Sequence, residues 1–182
     1  ACRTPVPFDH VRAEGRAGRM NQQLMAIVTE GSSGRNYHSP EKQQVRVSEQ
    51  AKPEWRPDFK LPHNPRDFKT PNYGMKTFAD LFTPRQLVAL TTFSDLVAEA
   101  REQVCRDALA AGLPDDDTPL REGGAGARAY AEAVSVYLAL SVGRQANRLS
   151  TICFWDQQRQ NIQQVFARQA IPMTWDFVEA NP

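Results

Sequence analysis

Hydrophobic residues recur at the three-four spacing of an amphipathic helix in two long stretches of this chain. The first stretch opens at "TPRQL", where Thr83 is a good N-cap, Pro84 suits the first helical position and Gln86 completes a capping box. Gly112 is placed to end the helix as a C-cap. The pattern therefore predicts one helix between Thr83 and Gly112. Its inward face comprises Leu87, Leu90, Ser94, Val97, Val104, Ala108 and Ala111.

A second helix is predicted from about Ala125 to Leu149. Val136, Leu140 and Val142 make its middle apolar on nearly all sides, which predicts burial on several sides. Because a modest loop joins the two helices, they are expected to pack antiparallel. A third, more polar helix is predicted for "QQRQNIQQVFARQ", ending before Pro172. The face shared within the second helix comprises Ala127, Tyr130, Val134, Tyr137, Leu138, Ser141, Gln145 and Leu149.

The first part of the chain has a different pattern. "QQLMAIVTE", "GSSG" and "RNYH" predict a β-hairpin. Prolines at 40, 53, 57, 62, 65 and 71 then exclude helices and central strands from the stretch that follows. Aromatic rings at Trp55, Phe59, Phe68 and Tyr73 favour an extended strap whose rings dock on a folded body. The predicted fold class is α+β, predominantly α, with long antiparallel helices, a small N-terminal hairpin and this proline-rich strap.

Composition is that of a soluble globular protein, with 41% hydrophobic and 24% charged residues. No apolar run approaches the ~20 residues of a membrane span, and the N-terminus has no signal-peptide core. Three cysteines without metal-ligand spacing indicate a reducing, cytoplasmic protein. Cys105 is interpreted as a small buried hydrophobe. Both chain ends look like cuts, so the chain is expected to be a piece of a longer protein.

Charge is unevenly distributed along the chain, although the net charge is only +1. Residues 1–76 hold 13 Lys/Arg against 8 Asp/Glu, whereas residues 77–182 hold 9 against 13. A basic half is typical of a protein that faces a polyanion such as DNA, and equally of a solvated surface. Arg144 and Arg148, four residues apart on the second helix, suggest phosphate contact or a structural salt link.

Local spacing gives no catalytic set, because no Ser, Cys or Asp is placed beside a histidine. His63 lies in a loop-like context and is interpreted as a surface residue. "GGAG" at 123–126 precedes a helix and could hold an anion, or simply form a flexible turn. "HNPRDF" has Arg66 where the Asn/Asp-Pro-Pro-aromatic tetrad of amino-methyltransferases requires a second proline. It therefore predicts an Asn-Pro turn.

Three stretches carry a family resemblance: "HNPRDFKTPNYGMKTFADLFTPRQLVALTTFSDLVAEAR", "YAEAVSVYLALSVGRQANRLS" and "FARQAIPMTWDFVEANP". They resemble large bacterial and archaeal proteins described as adenine-specific DNA methylases that contain a zinc ribbon. The resemblance implies an S-adenosylmethionine-dependent parent whose cofactor loop and catalytic tetrad both lie outside these 182 residues. S-adenosylmethionine is therefore expected in the parent and no cofactor in this piece. Cys2 matches one ligand of a paired-cysteine knuckle, a partial site that is not expected to hold zinc alone.

On this interpretation, residues 1–50 end a zinc-ribbon-like segment, 51–76 form the strap and 77–182 form a helical domain. The chain is expected to be a non-catalytic region that assists DNA binding or target recognition, with DNA and the rest of the methyltransferase as partners and no membrane partner. Two alternatives are a purely structural helical insert and a protein-interaction module that docks through the strap or "TWDF". Candidate DNA-contacting residues are Arg66, Lys69 and Tyr73, then Arg85, Arg144 and Arg148.

Overall fold

A computed structural model describes residues 5–166 and 169–180. The fold is mostly helical, with small antiparallel two-stranded sheets, as the sequence predicts. The α-helices are α1 (Phe8–Arg16), α2 (Lys42–Glu49), α3 (Pro84–Ala110) and α4 (Ala127–Ala146). The strands are β1 (Ile27–Gly31), β2 (Gly34–His38), β3 (Trp155–Asp156) and β4 (Asn161–Ile162).

The chain divides into two compact units. Unit 1 takes in the residues up to Leu87 and those from Arg148 onward, so two separate stretches of chain build it. Unit 2 is the intervening stretch, Val88–Asn147. The core of unit 1 draws on both of its stretches and comprises Leu61, Leu81, Ile152, Cys153, Val165 and Ile171.

The predicted N-terminal hairpin is confirmed. β1 and β2 pair antiparallel from Ile27 opposite His38 to Gly31 opposite Gly34. The Thr29 hydroxyl lies 2.8 Å from His38 Nε2 across the two strands. Cross-strand side-chain contacts of this kind support a short ribbon that has little core of its own.

The prediction that prolines exclude helices from this part of the chain is wrong for residues 42–49. Helix α2 fits between Pro40 and Pro53, where the chain has no proline for twelve residues. A capping box stabilises its start, because the Glu41 backbone N–H donates to Gln44 Oε1 at 2.7 Å. Helix α1 was also not predicted, and Pro7 stands at its N-cap, where a missing N–H is harmless.

The strap prediction is only partly correct. Residues 51–69 form neither an α-helix nor a multi-residue strand. Phe68 packs against the unit 1 core and Tyr73 packs against another ring, as expected. Trp55 and Phe59, however, are 60% and 71% exposed, so the prediction that these two rings dock is wrong.

Helix α3 begins and ends as predicted. The Thr83 N–H donates to Gln86 Oε1 at 2.8 Å, and the Gln86 N–H donates to the Thr83 hydroxyl at 3.2 Å. At the other end, Gly112 takes a left-handed φ of +91°, and the Leu113 N–H donates to the Ala108 carbonyl at 3.0 Å. Cys105, on this helix, is half-buried rather than buried.

Helices α3 and α4 lie on either side of a groove, and their predicted packing against each other stays a prediction. The Ala127 N–H donates to the Pro114 carbonyl, which places the start of α4 beside the end of α3. Residues 93–100 of α3 and 138–145 of α4 then line one groove. The predicted burial of the middle of α4 is wrong, because Val136 is 54% and Leu140 is 65% exposed and Val142 is only half-buried. Full burial in α4 is confined to the first turns, at Ala127, Ala129 and Ala131.

The third predicted helix is wrong in the residues that the structure describes. Strands β3 and β4 form a small hairpin there, with Trp155 opposite Ile162. The Asp156 carboxylate accepts the N–H groups of Gln158 and Arg159 at 2.9 and 3.0 Å, which favours a turn over a helix. Residues 167–168 of the predicted helix lie outside the described residues.

Candidate nucleic-acid interface

Two segments of unit 1, more than a hundred residues apart in the chain, run side by side. Phe68 forms a parallel bridge with Ile171. The Lys69 N–H donates to the Ile171 carbonyl at 2.9 Å, and the Ile171 N–H donates to the Asp67 carbonyl at 3.0 Å. Both backbones are therefore held by hydrogen bonds next to a core in which Ile171 is 5% exposed.

The predicted Asn-Pro turn at "HNPRDF" is confirmed and shapes the first of these segments. The Phe68 N–H donates to the Asn64 carbonyl at 2.8 Å. The Asp67 N–H donates to Asn64 Oδ1 at 3.2 Å, and Asn64 Nδ2 donates to Asp67 Oδ2 at 2.9 Å. Asn64 thus closes a tight turn that projects Arg66 outward, since its side chain is 92% exposed.

An aromatic pair lies a few residues further along both segments. Tyr73 and Trp175 meet edge to face, with ring centroids 5.1 Å apart and ring planes at 87°. Tyr73 is half-buried, whereas Trp175 is 57% exposed. This arrangement keeps a large ring at the surface in a fixed orientation.

Helix α1 packs closely against the segment that carries Tyr73, and the two glycines Gly15 and Gly74 lie at this contact. A Cβ atom on Gly74 would overlap the Gly15 carbonyl oxygen, and one on Gly15 would lie 2.6 Å from the Tyr73 carbonyl oxygen. Gly74 also has a left-handed φ of +94°. The same close contact places the Arg16 Cα only 3.3 Å from the Cβ position at Gly74. The basic end of α1 therefore lies beside Tyr73.

Three cationic side chains, Arg16, Arg66 and Lys69, belong to the surface around the Tyr73–Trp175 pair. Arg66 Nε lies 3.9 Å from Asp67 Oδ1, which is a loose contact between exposed groups. Lys69 Nζ donates to the Pro65 carbonyl at 2.9 Å, and Arg16 Nε donates to the Arg12 carbonyl at 3.2 Å. Among the described residues, no carboxylate lies within 4 Å of Arg16 or Lys69. Their charges stay available to an anionic ligand.

The other predicted DNA-contacting residues lie elsewhere. Arg85 pairs with Glu179, and both side chains are 27% exposed, so its charge is already balanced. Arg144 is exposed in the last turn of α4. Because α4 ends at Ala146, Arg148 lies beyond it, and the prediction that the two arginines share one helix is wrong. Arg148 Nε is buried without a hydrogen-bond partner among the described residues.

The described residues hold no group of three or more side chains that could bind a metal ion. Cys2, the predicted partial zinc ligand, lies outside them. His63 is exposed, as its interpretation as a surface residue requires. The "GGAG" segment makes close backbone contacts: a Cβ on Gly124 would overlap the Thr118 carbonyl, and one on Gly126 would lie 2.6 Å from the Pro114 carbonyl oxygen.

Arg16 has no role in the predictions made from the sequence, and Trp175 enters them only as part of "TWDF". Arg16 belongs to a helix that the pattern did not predict, and Trp175 joins the surface by pairing with a distant segment. The residues around an exposed tryptophan in the sequence do not indicate which distant segment it will contact. Only the tertiary contacts bring these residues together.

Unit 2 carries an apolar groove of about 350 Å³. It lies between α3 and α4, and α4 also carries exposed apolar residues, among them Tyr137 at 74%. None of the helices in the described part of the chain combines the length and the apolar content that a membrane span needs. The groove is lined by Phe93, Leu96, Val97, Ala100, Leu138, Ser141, Val142 and Gln145.

No family model, no curated protein and no solved structure matches this chain.

Proposed function

We propose that unit 1 binds DNA through the surface formed by Arg16, Arg66, Lys69, Tyr73 and Trp175. In this proposal the chain is a non-catalytic region of an S-adenosylmethionine-dependent DNA adenine methyltransferase and assists DNA binding. The observation that carries the DNA-binding proposal is the set of exposed, loosely paired cations beside an exposed aromatic pair. The methyltransferase context is supported by the resemblance of the three quoted stretches alone.

The distribution of charge supports phosphate binding by unit 1. Its two stretches hold 17 Lys/Arg against 12 Asp/Glu, whereas Val88–Asn147 holds 5 against 9. A net positive unit attracts the phosphate backbone and speeds encounter with it. Unit 2, which is net negative, is the less suitable of the two for that role.

The anchoring of the cations also supports the proposal. Lys69 follows Phe68, which packs against the core, and its own N–H is bonded to Ile171. The backbone of this segment is therefore already ordered before a ligand arrives. Contacts from a pre-ordered surface lose less conformational entropy on binding than contacts from a flexible loop.

A salt titration tests the proposal. We expect a fluorescently labelled duplex to bind the chain with an affinity that falls steeply as salt rises. The double variant Arg66→Ala, Lys69→Ala should lower the slope of log K against log[salt] by about 2, because two phosphate contacts are lost. The matched control is Lys42→Ala, Arg46→Ala, which removes two exposed cations of α2. If the two double variants lower the slope of log K against log[salt] equally, the assignment of DNA binding to this surface is contradicted.

A structural or protein-interaction role is the second candidate. It is favoured by the exposed apolar residues of α4 in unit 2, such as Tyr137 and Leu140. Absence of salt-dependent DNA binding, together with concentration-dependent self-association in sedimentation experiments, would support this candidate instead. We expect no methyl transfer by this chain alone, and incorporation of labelled methyl groups into DNA would overturn that expectation.

A further inference from the structure

Trp175 has a property that phosphate binding does not explain. It is 57% exposed although it belongs to a segment that is anchored on both sides. The Thr174 hydroxyl donates to the Ile152 carbonyl at 3.2 Å, and the Val178 N–H donates to the Cys153 carbonyl at 3.1 Å. The backbone around Trp175 is thus fixed to the core of unit 1, while the indole ring is left at the surface.

The contact with Tyr73 leaves part of the indole open. In an edge-to-face pair one ring presents its edge to the face of the other. Whichever ring supplies the edge here, Tyr73 covers at most one face of Trp175. At least one face of the indole therefore remains uncovered by its ring partner, and the pair contact restrains its orientation.

A flat aromatic face beside cations matches the chemistry of an unpaired nucleotide. Bases stack on aromatic rings, while the adjoining phosphates are held by Lys and Arg. Lys69 belongs to the segment that pairs with Ile171, four residues before Trp175. Inside a duplex the base faces are covered by neighbouring bases, so away from the duplex ends an exposed ring can stack only on a base that is unpaired or extruded.

We infer that Trp175 stacks on an unpaired base, so that this surface prefers single-stranded DNA, or a base extruded from a duplex, to a fully paired duplex. The inference rests on the proposed DNA-binding function and adds the form of DNA that is bound. Asp176, which is exposed and next in sequence, opposes the binding of phosphate. Its replacement by Asn is therefore expected to strengthen binding of single strands and duplexes alike.

The test compares an oligo(dT) 12-mer with a 12-base-pair duplex, each labelled and titrated at the same salt concentration with the complete 182-residue chain. Trp175→Ala should weaken oligo(dT) binding by about tenfold or more, as expected for the loss of one stacked base. It should weaken duplex binding much less, because in a paired duplex this surface contacts phosphates rather than base faces. Trp175→Phe keeps a ring and should retain most of the oligo(dT) affinity.

The matched control is Trp55→Ala, because Trp55 is also exposed, at 60%, and lies in the same unit. It should change neither affinity. Oligo(dT) should also quench the intrinsic fluorescence of the wild-type chain, and this quenching should be much smaller in Trp175→Phe. Circular dichroism melts of each variant separate loss of stacking from loss of folding.

The outcomes distinguish this inference from the proposed function. If duplex binding depends on Arg66 and Lys69 but folded Trp175→Ala binds oligo(dT) as the wild type does, only the stacking inference fails. Equal weakening of both ligands by Trp175→Ala also overturns it. If neither ligand binds the wild-type chain, the proposed function and the inference fail together.

Discussion

Gln86 donates from Nε2 to Glu179 Oε2 at 2.7 Å, which joins the first turn of α3 to a residue 93 positions later. The other carboxylate oxygen of Glu179 accepts from Arg85. Gln86 is 1% exposed and also closes the capping box with Thr83. One carboxylate therefore satisfies two donors at the point where unit 1 continues into α3.

We expect Glu179→Ala to lower the free energy of unfolding by about 1–3 kcal/mol, because it leaves the nearly buried Gln86 amide without this acceptor. Chemical denaturation followed by circular dichroism measures the change. Glu122→Ala is the control, since Glu122 pairs with Arg121 at the surface and should contribute less than about 1 kcal/mol. Similar losses in the two variants would show that the Gln86–Glu179 contact contributes little.

The close approach of α1 to Gly74 leads to a second prediction. Gly74→Ala should destabilise unit 1 more than Gly112→Ala destabilises α3. Both glycines have positive φ, +94° and +91°, so each substitution costs about 1–2 kcal/mol for the left-handed backbone. Only at Gly74 does the new methyl group overlap backbone, that of Gly15, whereas Gly112 has open space. Thermal melts of the two variants give the comparison, and equal melting temperatures would contradict the overlap.

The Asp80 carboxylate leads to a prediction on pH. Burial raises its pKa, but N–H groups of Thr77 and Lys76, the Thr77 hydroxyl and the Arg56 charge outweigh burial and hold the pKa below its ordinary value. A carboxyl with a depressed pKa in the folded state stabilises the fold above its unfolded pKa of about 3.9. This contribution to the stability of the fold is lost as the pH falls through the lower pKa that Asp80 has in the folded state.

Asp80→Asn should therefore destabilise the chain near neutral pH, and the difference from wild type should shrink as the pH falls below about 4. Denaturation at a series of pH values from 7 to 2 measures this difference. Asp95→Asn, which changes an exposed carboxylate on α3, serves as the control. A difference between Asp80→Asn and wild type that stays constant with pH would rule out the linkage.

The exposed middle of α4 leads to a fourth prediction. Leu140→Ala should change the free energy of unfolding by less than about 0.5 kcal/mol, because Leu140 is 65% exposed. Leu81→Ala should cost about 2–5 kcal/mol, because Leu81 is completely buried in the unit 1 core. If Leu140→Ala is as damaging as Leu81→Ala, the side chain is buried in solution and the original prediction of a buried helix is restored.

The features that the sequence predicted correctly depend on neighbouring residues. Thr83 and Gln86 cap α3 through hydrogen bonds between residues three positions apart. Gly112 ends the helix because its own backbone takes a left-handed φ. The β1–β2 hairpin is equally local. Such features follow from intrinsic preferences that tertiary structure has little reason to override.

The errors arise where distant contacts or exposure decide the outcome. Ile162 fits a helical pattern, but it packs on the unit 1 core from strand β4. Leu140 fits a buried pattern, yet hydrophobicity alone does not say whether a neighbouring element covers it. The pairing of Phe68 with Ile171, which places Trp175 beside Tyr73, has no local signature at all.

The discontinuous construction of unit 1 has a consequence for synthesis on the ribosome. The Leu81 carbonyl accepts both the N–H and the hydroxyl of Thr151, at 2.8 and 2.9 Å, so these residues meet only after the whole of Val88–Asn147 has been translated. Unit 2, by contrast, is one continuous stretch of chain, so it can form while the chain is still growing. The surface around Trp175 can therefore form only after unit 2 and the segment up to Trp175 have been translated, and a nascent chain that ends before that segment has no such surface.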